Sequence, residues 1–558
     1  MTKTFLAIGI FCFLFTLNNA FAQNLLSPLW RMEKDANREQ AKVNLMLSWE
    51  RQGYSWMSGE CTISNDFVVN EKDSGYQLSF SLLCRIDSVV INGYCIDSSS
   101  NSSGWTRGEK YKIKIPASVL KSGMVNRISF RVSDFGYTGG LSSNFCQIAE
   151  KYNHPNDSVN LTLDSSNHCY SLNASRLKLT ADVESSNEGI LNLVVRNDFG
   201  DTLVVESRRV DKGKKQQTFA LEQYNLPAGF YESTVILSNG CYSGDVAWFT
   251  IAPESIECGS KAPADIDQYW TTALNELNSI EPQFTLQKVD SLCSDFRDGY
   301  IAEMSSVKDV SIRAYYFVPK GAGKYPAILH LPGYGNGFTY HKGFKNRKED
   351  VIEMALCVRG HGISADKFNP WNDMTLWAYQ ICNLQENVYR SAYLDCVRAV
   401  DFLLSRSEVD TTRIGVLGGS QGGGLALATA ALCNDKIHVC AFFDPFPCDV
   451  RDLISIRKIG QEEIQSFVKL YDNCNYEDAL RVQDYVDARN LASKIRCQTL
   501  FLTALFDDDC PSHVGFSAFN SIHSKKEFKI YPFDSHMCES GEFDEMFRFV
   551  FEKLSLMQ

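Results

Sequence analysis

The pentapeptide Gly418-Gly419-Ser420-Gln421-Gly422 decides the fold, because a short β-forming run, Arg413 to Leu417, enters it and an apolar run, Gly423 to Leu432, leaves it at helical length. Small residues two before and two after the serine relieve the crowding of a sharp strand-to-helix turn, so the Ser420 hydroxyl stands exposed at the carboxyl end of a central strand. N–H groups at the start of the following helix then face the reaction. The pattern predicts a nucleophile on an α/β framework.

Working outward, strands are readable at Ile312 to Val318, Pro326 to Leu331, Ala355 to Val358, Arg413 to Leu417, Val439 to Phe443, Thr499 to Leu505 and Phe528 to Tyr531. Tyr389, Tyr393, Val397, Val400 and Leu404 recur at helical spacing between the third and fourth. Continuous apolar strands flanked by such helices predict a parallel sheet covered on both faces. This α/β-hydrolase region is expected over 262–558, after a linker running from Ala252-Pro253 to Ala262-Pro263.

A serine hydroxyl is a weak nucleophile near neutral pH and needs a histidine to take its proton and a carboxylate to orient that histidine. On this fold the chain order is serine, acid, histidine. The run Thr499 to Leu505 leads straight into Phe506-Asp507-Asp508-Asp509, so Asp507 is the first carboxylate off a late strand, with Asp508 one register away. A calcium site on the three aspartates is the other reading of that loop, but no glycine-spaced acidic loop follows. Of the later histidines, His438 begins a core strand, His513 lies six residues past Asp507 at a helix start, and His523 sits among charges. His536 follows the last strand in a loop before the C-terminal helix and is the expected base.

Attack on an ester carbonyl places negative charge on oxygen, which two N–H donors normally receive. The backbone of Gln421 is one expected donor. The second is placed at Tyr334, in the loop Leu331-Pro332-Gly333-Tyr334-Gly335-Asn336-Gly337 after an early strand. A phosphate-binding loop is disfavoured there because no Gly-Lys-Ser/Thr occurs. This chemistry requires no metal and no organic cofactor.

Upstream, 24–152 shows period-two β-patterning, as in Tyr111 to Ile115 and Ile128 to Val132, and reads as a β-sandwich or jelly roll. Val90-Ile91-Asn92-Gly93, with the turn Lys121 to Asn126 and the strand at Ile128, resembles galactose-binding-like jelly rolls. A second region, 158–252, carries Leu177 to Val183, the turn Asn197-Asp198-Phe199-Gly200 and a strand Ser233 to Leu237, and reads as an immunoglobulin-like sandwich. Trp30 and Trp105 either stack on a sugar ring or belong to these cores.

Lys3, the 13-residue run Phe5 to Leu17 and Ala20-Phe21-Ala22 read as a secretory signal over 1–22, so the protein is expected to be exported, periplasmic or extracellular. The run falls short of the ~20 residues that span a bilayer, which argues against a membrane anchor. Loss of Lys3 takes the net charge from −12 to about −13, which repels phosphate backbones and makes nucleic acid an unfavourable partner. Eighteen of the 19 cysteines lie beyond the signal, without a C-x-x-C, so no zinc ribbon is supported and no pairing is assigned.

From Asp265-Ile266-Asp267-Gln268-Tyr269-Trp270 to the end, the sequence resembles the acetyl xylan esterase and cephalosporin C deacetylase family, carbohydrate esterase family seven. Tyr393 to Leu403, Arg413-Ile414-Gly415-Val416 and Gly418 to Gly423 carry that resemblance. It implies Ser420, Asp507 and His536 as nucleophile, acid and base, Gln421 and Tyr334 as oxyanion donors, and an acetylated oligosaccharide as substrate. Two departures stand out: the family's Arg-Gly-Gln is Arg359-Gly360-His361, and its glutamate after the catalytic histidine is Met537. Family members form ring-like hexamers, so a homo-oligomer is an expectation that two extra N-terminal domains would obstruct. A serine peptidase of the prolyl-oligopeptidase kind and a glycan-binding protein with an inert hydrolase domain are the alternative readings.

Overall fold

The computed structural model describes residues 25–26, 29–34, 39–44, 59–82, 85–97, 111–134, 141–150, 157–172, 176–238, 242–335, 343–372, 374–536 and 540–556. The expected signal, Trp105, Asn336, Gly337 and Met537 lie outside the described residues.

The first β-region folds as a six-stranded sheet, in spatial order Glu39–Asn44, Leu29–Lys34, Gly59–Val68, Val125–Asp134, Arg85–Ile91 and Tyr94–Asp97. A three-stranded sheet of Tyr111–Ile115, Tyr76–Leu82 and Leu141–Glu150 accompanies it. Alternate residues point inward, as with Cys61, Ile63 and Phe67, and meet Leu78, Phe80, Phe130 and Ile148 in one core. Trp30 belongs to that core, buried with its ring 5.5 Å from Phe130, so it is no sugar platform. The Asn92 side chain bonds Asn126 Oδ1 (2.8 Å) and accepts from the Arg127 amide (3.0 Å), joining the hairpin to the Lys121–Asn126 turn.

The second β-region pairs a three-stranded sheet (Ser158–Leu163, Lys178–Ser185, Gly213–Ala220) with a five-stranded one. The latter runs Cys169–Tyr170, Tyr242–Ile251, Gly229–Ser238, Gly189–Asn197 and Thr202–Val210. Asn197 to Gly200 forms the hairpin turn, with Gly200 at φ +90° and its amide on Asn197 O (3.0 Å).

The α/β region is built on a nine-stranded sheet. Its order is Thr285–Lys288, Arg297–Ser305, Ser311–Pro319, Ile352–Cys357, Tyr325–Leu331, Val409–Gly419, Val439–Phe443, Gln498–Ala504 and Lys526–Tyr531. From Ile352–Cys357 onward the pairs are parallel; the first strands and their junction to Ile352–Cys357 are antiparallel. The all-parallel sheet expected from sequence is therefore mixed. The missed strand Arg297–Ser305 carries Arg297, Asp298 and Glu303, whose charges mask its alternation; Arg297 is buried against Glu353 at 2.7 Å. Ala327 and Leu329 face a core shared with the Val388–Leu404 and Gln421–Leu432 helices. Ile328 and Leu417 face the other core, under the Glu542–Ser555 helix. Sheet positions one residue apart thus bury on opposite faces, as a sheet covered on both sides requires.

The second sandwich docks on the α/β region through the tip of its hairpin turn. Asp198 Oδ2 lies 2.7 Å from His513 Nδ1, with both side chains 6% exposed, and Asp452 lies 3.4 Å from Nε2. The rings of Phe199 and Phe230 flank the imidazole at 5.2 and 5.9 Å. The linker is also held: Gly259 N bonds Asp452 (2.6 Å), Ser260 N bonds Asp449 (2.7 Å) and Pro253 O accepts from Asn520 (2.9 Å). Burial pulls the His513 pKa down, but hydrogen bonds and charge from Asp198 and Asp452 raise it to about 10.

A histidine raised in this way stabilises the fold fully below its unfolded value of about 6.5 and loses that contribution as pH climbs through its folded value. His513→Gln is expected to lower unfolding free energy by about 3–5 kcal/mol at about pH 6, because it strands a buried carboxylate, with the gap closing toward about pH 10. Urea unfolding of wild type and variant at the two pH values checks this; an equal gap at both would exclude the ion pair as its source.

Candidate active site

Ser420 sits between the Val409–Gly419 strand and the Gln421–Leu432 helix with φ 57° and ψ −126°, a backbone region that costs a residue with a side chain about 1–3 kcal/mol. Its own peptide groups hold it there. Ser420 N donates to Phe443 O (2.9 Å), while Ser420 O accepts from Gly423 N (2.9 Å), Gly424 N (3.2 Å) and Phe446 N (2.9 Å). The flanking glycines are required by distance: a Cβ on Gly418 would lie 2.3 Å from Gly422 O, and one on Gly422 would lie 2.4 Å from Leu331 O. The same close approach brings the Leu331–Tyr334 loop against the start of the helix.

His536 Nε2 lies 3.0 Å from Ser420 Oγ, and His536 Nδ1 lies 2.6 Å from Asp507 Oδ2. A carboxylate only accepts, so Nδ1 carries the proton and Nε2 presents a lone pair to the hydroxyl. Asp507 is buried, and its other oxygen accepts from the amides of Asp509 and Cys510, both at 2.8 Å. The loops bearing acid and base are laced together by Leu505 N to Tyr531 O (3.1 Å) and Phe506 N to Asp534 O (3.1 Å). The structure thus brings together the three side chains singled out in sequence, at the carboxyl ends of three parallel strands.

Gln421 opens the helix, where first-turn N–H groups have no partner within the helix. Among the described residues, neither its amide nor that of Tyr334 is matched to an acceptor. Tyr334 extends from the neighbouring loop, its hydroxyl accepting from Trp377 N (3.0 Å) and its ring 5.0 Å from Trp371 and 6.3 Å from Phe446. These rings wall the site on one side. Arg457 pairs with Asp509 (3.1 Å) in the loop that bears Asp507.

Two contributors were missed or left without a role by the sequence. Asp444, the first residue after the Val439–Phe443 strand, is buried; it accepts from Thr503 Oγ1 and from Ala504 N (3.0 Å). Burial, and then the charge of Asp507, hold its carboxyl well above the usual range. Its signal was a carboxylate directly off a strand end, as for Asp507, but on an earlier strand than the late one expected to carry the acid. Arg359 is engaged by Asp395 (2.7 and 2.9 Å), which ties its loop to the Val388–Leu404 helix. His438 accepts from Ile414 N (3.3 Å), and His513 serves the domain junction.

Among the described residues one group, Asp449, Asp452 and His513, offers ligand atoms within 4.8 Å of one another. The two carboxylates of that group accept from Ser260, Ser517 and Gly259, and His513 Nδ1 meets Asp198.

A strained serine elbow, with acid and histidine loops meeting it across a largely parallel sheet, defines an α/β-hydrolase. The chain belongs to the acetyl xylan esterase (AXE1) family, which matches residues 255–553. It is 27% identical over 306 residues to an acetyl esterase of Xylanibacter ruminicola, an alignment covering 52% of this chain and 67% of that protein. It is 26% identical over 202 residues to 2,6-dihydropseudooxynicotine hydrolase of Paenarthrobacter nicotinovorans, covering 36% of this chain and half of the relative. Among solved structures, an acetyl xylan esterase from a Thermoanaerobacterium species is 28% identical and covers 54% of this chain and 97% of that one, with a TM-score of 0.49.

Burial lowers the His536 pKa, but the charge and hydrogen bond of Asp507 outweigh it and raise the value to about 9. A base must be unprotonated to act, so kcat/KM is expected to rise with pH and level off only near that value. Asp507→Asn removes the raising charge and the correct tautomer. It is expected to cut kcat by about 10⁴ and move the residual midpoint toward lower pH, as read from the pH–rate profile.

Proposed function

We propose that this protein is an exported serine esterase that removes O-acetyl groups from xylan fragments or similar acetylated saccharides. The observation that carries the reading is the 3.0 Å approach of His536 Nε2 to Ser420 Oγ within a chain of the acetyl xylan esterase family. Ser420 Oγ attacks the acetyl carbonyl as its proton passes to His536 Nε2, and the carbonyl oxygen takes up negative charge facing the amides of Gln421 and Tyr334. His536 then returns that proton to the departing sugar oxygen, leaving acetyl-Ser420. Water gives a proton to the same imidazole as it adds to the acetyl group; the bond from Ser420 Oγ to the acyl carbon then breaks, the imidazole returns that proton to Oγ, and the acetyl group leaves as acetic acid, which ionises to acetate. Asp507 orients the imidazole and balances its charge, and no step calls on a metal or organic cofactor.

The clustered rings of Tyr334, Trp371 and Phe446 suit a ligand with apolar ring faces. Export is supported by the N-terminal signal pattern and by the Cys382–Cys474 disulfide, a bond that persists in oxidising compartments. Among the described residues no helix is long and apolar enough to cross a membrane. The peptidase alternative calls for an upstream propeller, whereas the described upstream strands form two sandwiches.

Acetate released from acetylated xylo-oligosaccharides by wild type, and lost by a factor of about 10⁴ or more in Ser420→Ala, is the expected result. Wild type that releases none would remove the xylan substrate, and a fully active Ser420→Ala would remove the mechanism.

A further inference from the structure

His361 stands where the family resemblance places a glutamine, and it is buried with no exposure to solvent. A buried imidazole must satisfy both nitrogens, and here the partners fix which does what. Nδ1 lies 3.1 Å from Arg359 O, a carbonyl that only accepts, so Nδ1 carries the hydrogen. Nε2 is then an acceptor, and 3.0 Å away stands the carboxamide nitrogen of Gln421. The second hydrogen of that nitrogen faces Pro332 O and Gly333 O, each at 3.3 Å, while Gln421 Oε1 accepts from the Tyr389 hydroxyl at 3.2 Å. Every polar atom of the Gln421 amide is assigned, and turning the amide over would set its oxygen against two carbonyls.

The consequence lies in one peptide plane. Gly333 C=O and Tyr334 N–H belong to the same trans peptide, so they point in opposite directions. Holding the carbonyl toward Gln421 aims the Tyr334 N–H away from that side chain. The flanking residues would not hold it alone, because a Cβ on Gly333 would meet nothing within 4 Å and Gly335 has φ +113°.

We propose that His361 is a positioning residue for oxyanion stabilisation: its Nε2 lone pair orients the Gln421 carboxamide, which grips the Gly333 carbonyl and thereby aims the Tyr334 N–H at the reacting oxygen. This rests on the reading of Ser420 as nucleophile and of Tyr334 and Gln421 as donors. Burial holds the imidazole pKa down, which keeps the lone pair available. The charged groups around it, Arg359 on its own loop and Asp395 on the Val388–Leu404 helix, pair with each other. Trp371 adds a second brace: its Nε1 donates to Gly360 O (2.8 Å), and its ring meets both His361 (6.1 Å) and Tyr334 (5.0 Å).

The test compares wild type, His361→Phe, His361→Gln and Tyr389→Phe in the full chain, using p-nitrophenyl acetate turnover and binding of a boronic acid that forms a tetrahedral adduct on the serine. His361→Phe keeps the ring and deletes the lone pair. It is expected to lower kcat about 10²-fold with KM within about threefold, and to weaken the boronate by the same factor as kcat. His361→Gln offers an amide oxygen in place of Nε2 and should restore most of both. Tyr389→Phe, which deletes only the donor to Gln421 Oε1, should show the same paired losses at about three- to tenfold.

A folded His361→Phe with unchanged kcat, a fall in kcat without the matching loss of boronate affinity, or a glutamine as impaired as phenylalanine would each overturn the proposal. If His361→Phe fails to fold, unchanged kcat in Tyr389→Phe overturns it. An active Ser420→Ala, by contrast, strikes the esterase reading itself, so the two failures are separable.

Discussion

The architecture of the site depends on how closely three stretches of backbone approach one another around Ser420. Gly422 lies under Leu331 O and Gly418 under Gly422 O, at distances that leave no room for a single added carbon. That crowding lifts the serine into a left-handed backbone conformation, and the amides of Gly423, Gly424 and Phe446 converge on its carbonyl to keep it there. Strain of this kind persists only where the surroundings over-determine it. Here it sets Ser420, the start of the helix and the loop of Tyr334 relative to one another in one step.

Around that point the polar groups form two connected layers. The first is the relay from Ser420 through His536 to Asp507, backed by buried Asp444. The second runs from Asp395 and Arg359 through His361 to Gln421 and the Gly333 carbonyl. Neither layer reaches far into solvent, so each hydrogen bond acts at low local dielectric and each proton has a defined place.

The upstream sandwiches are not equivalent in their relation to this core. The second meets it through Asp198 and His513, through Phe230 and Trp248, which join the main α/β hydrophobic core, and through His168, whose ring lies 4.9 Å from Phe533. Trp248 also sits 6.4 Å from Phe506, the residue before Asp507. The sandwich therefore packs against the two loops that carry Asp507 and His536.

Much of this was legible in residue order. The serine elbow, most α/β strands, the two β-regions, the triad and its chain order follow from local pattern, because side-chain period and glycine placement act over a few residues. The outer strands Thr285–Lys288 and Arg297–Ser305 were not; in the second, Arg297 and Glu303 disguise the alternation. Nor did any local signal tell that Asp198, in an ordinary hairpin turn, would meet a histidine 315 positions away, or that Asp444 would lie beside Asp507. The amino-acid sequence by itself determined which groups exist and which strand ends present them. Only the tertiary structure decided their protonation and pairing, because burial and distance, not order along the chain, set the energy of a charge or a hydrogen bond.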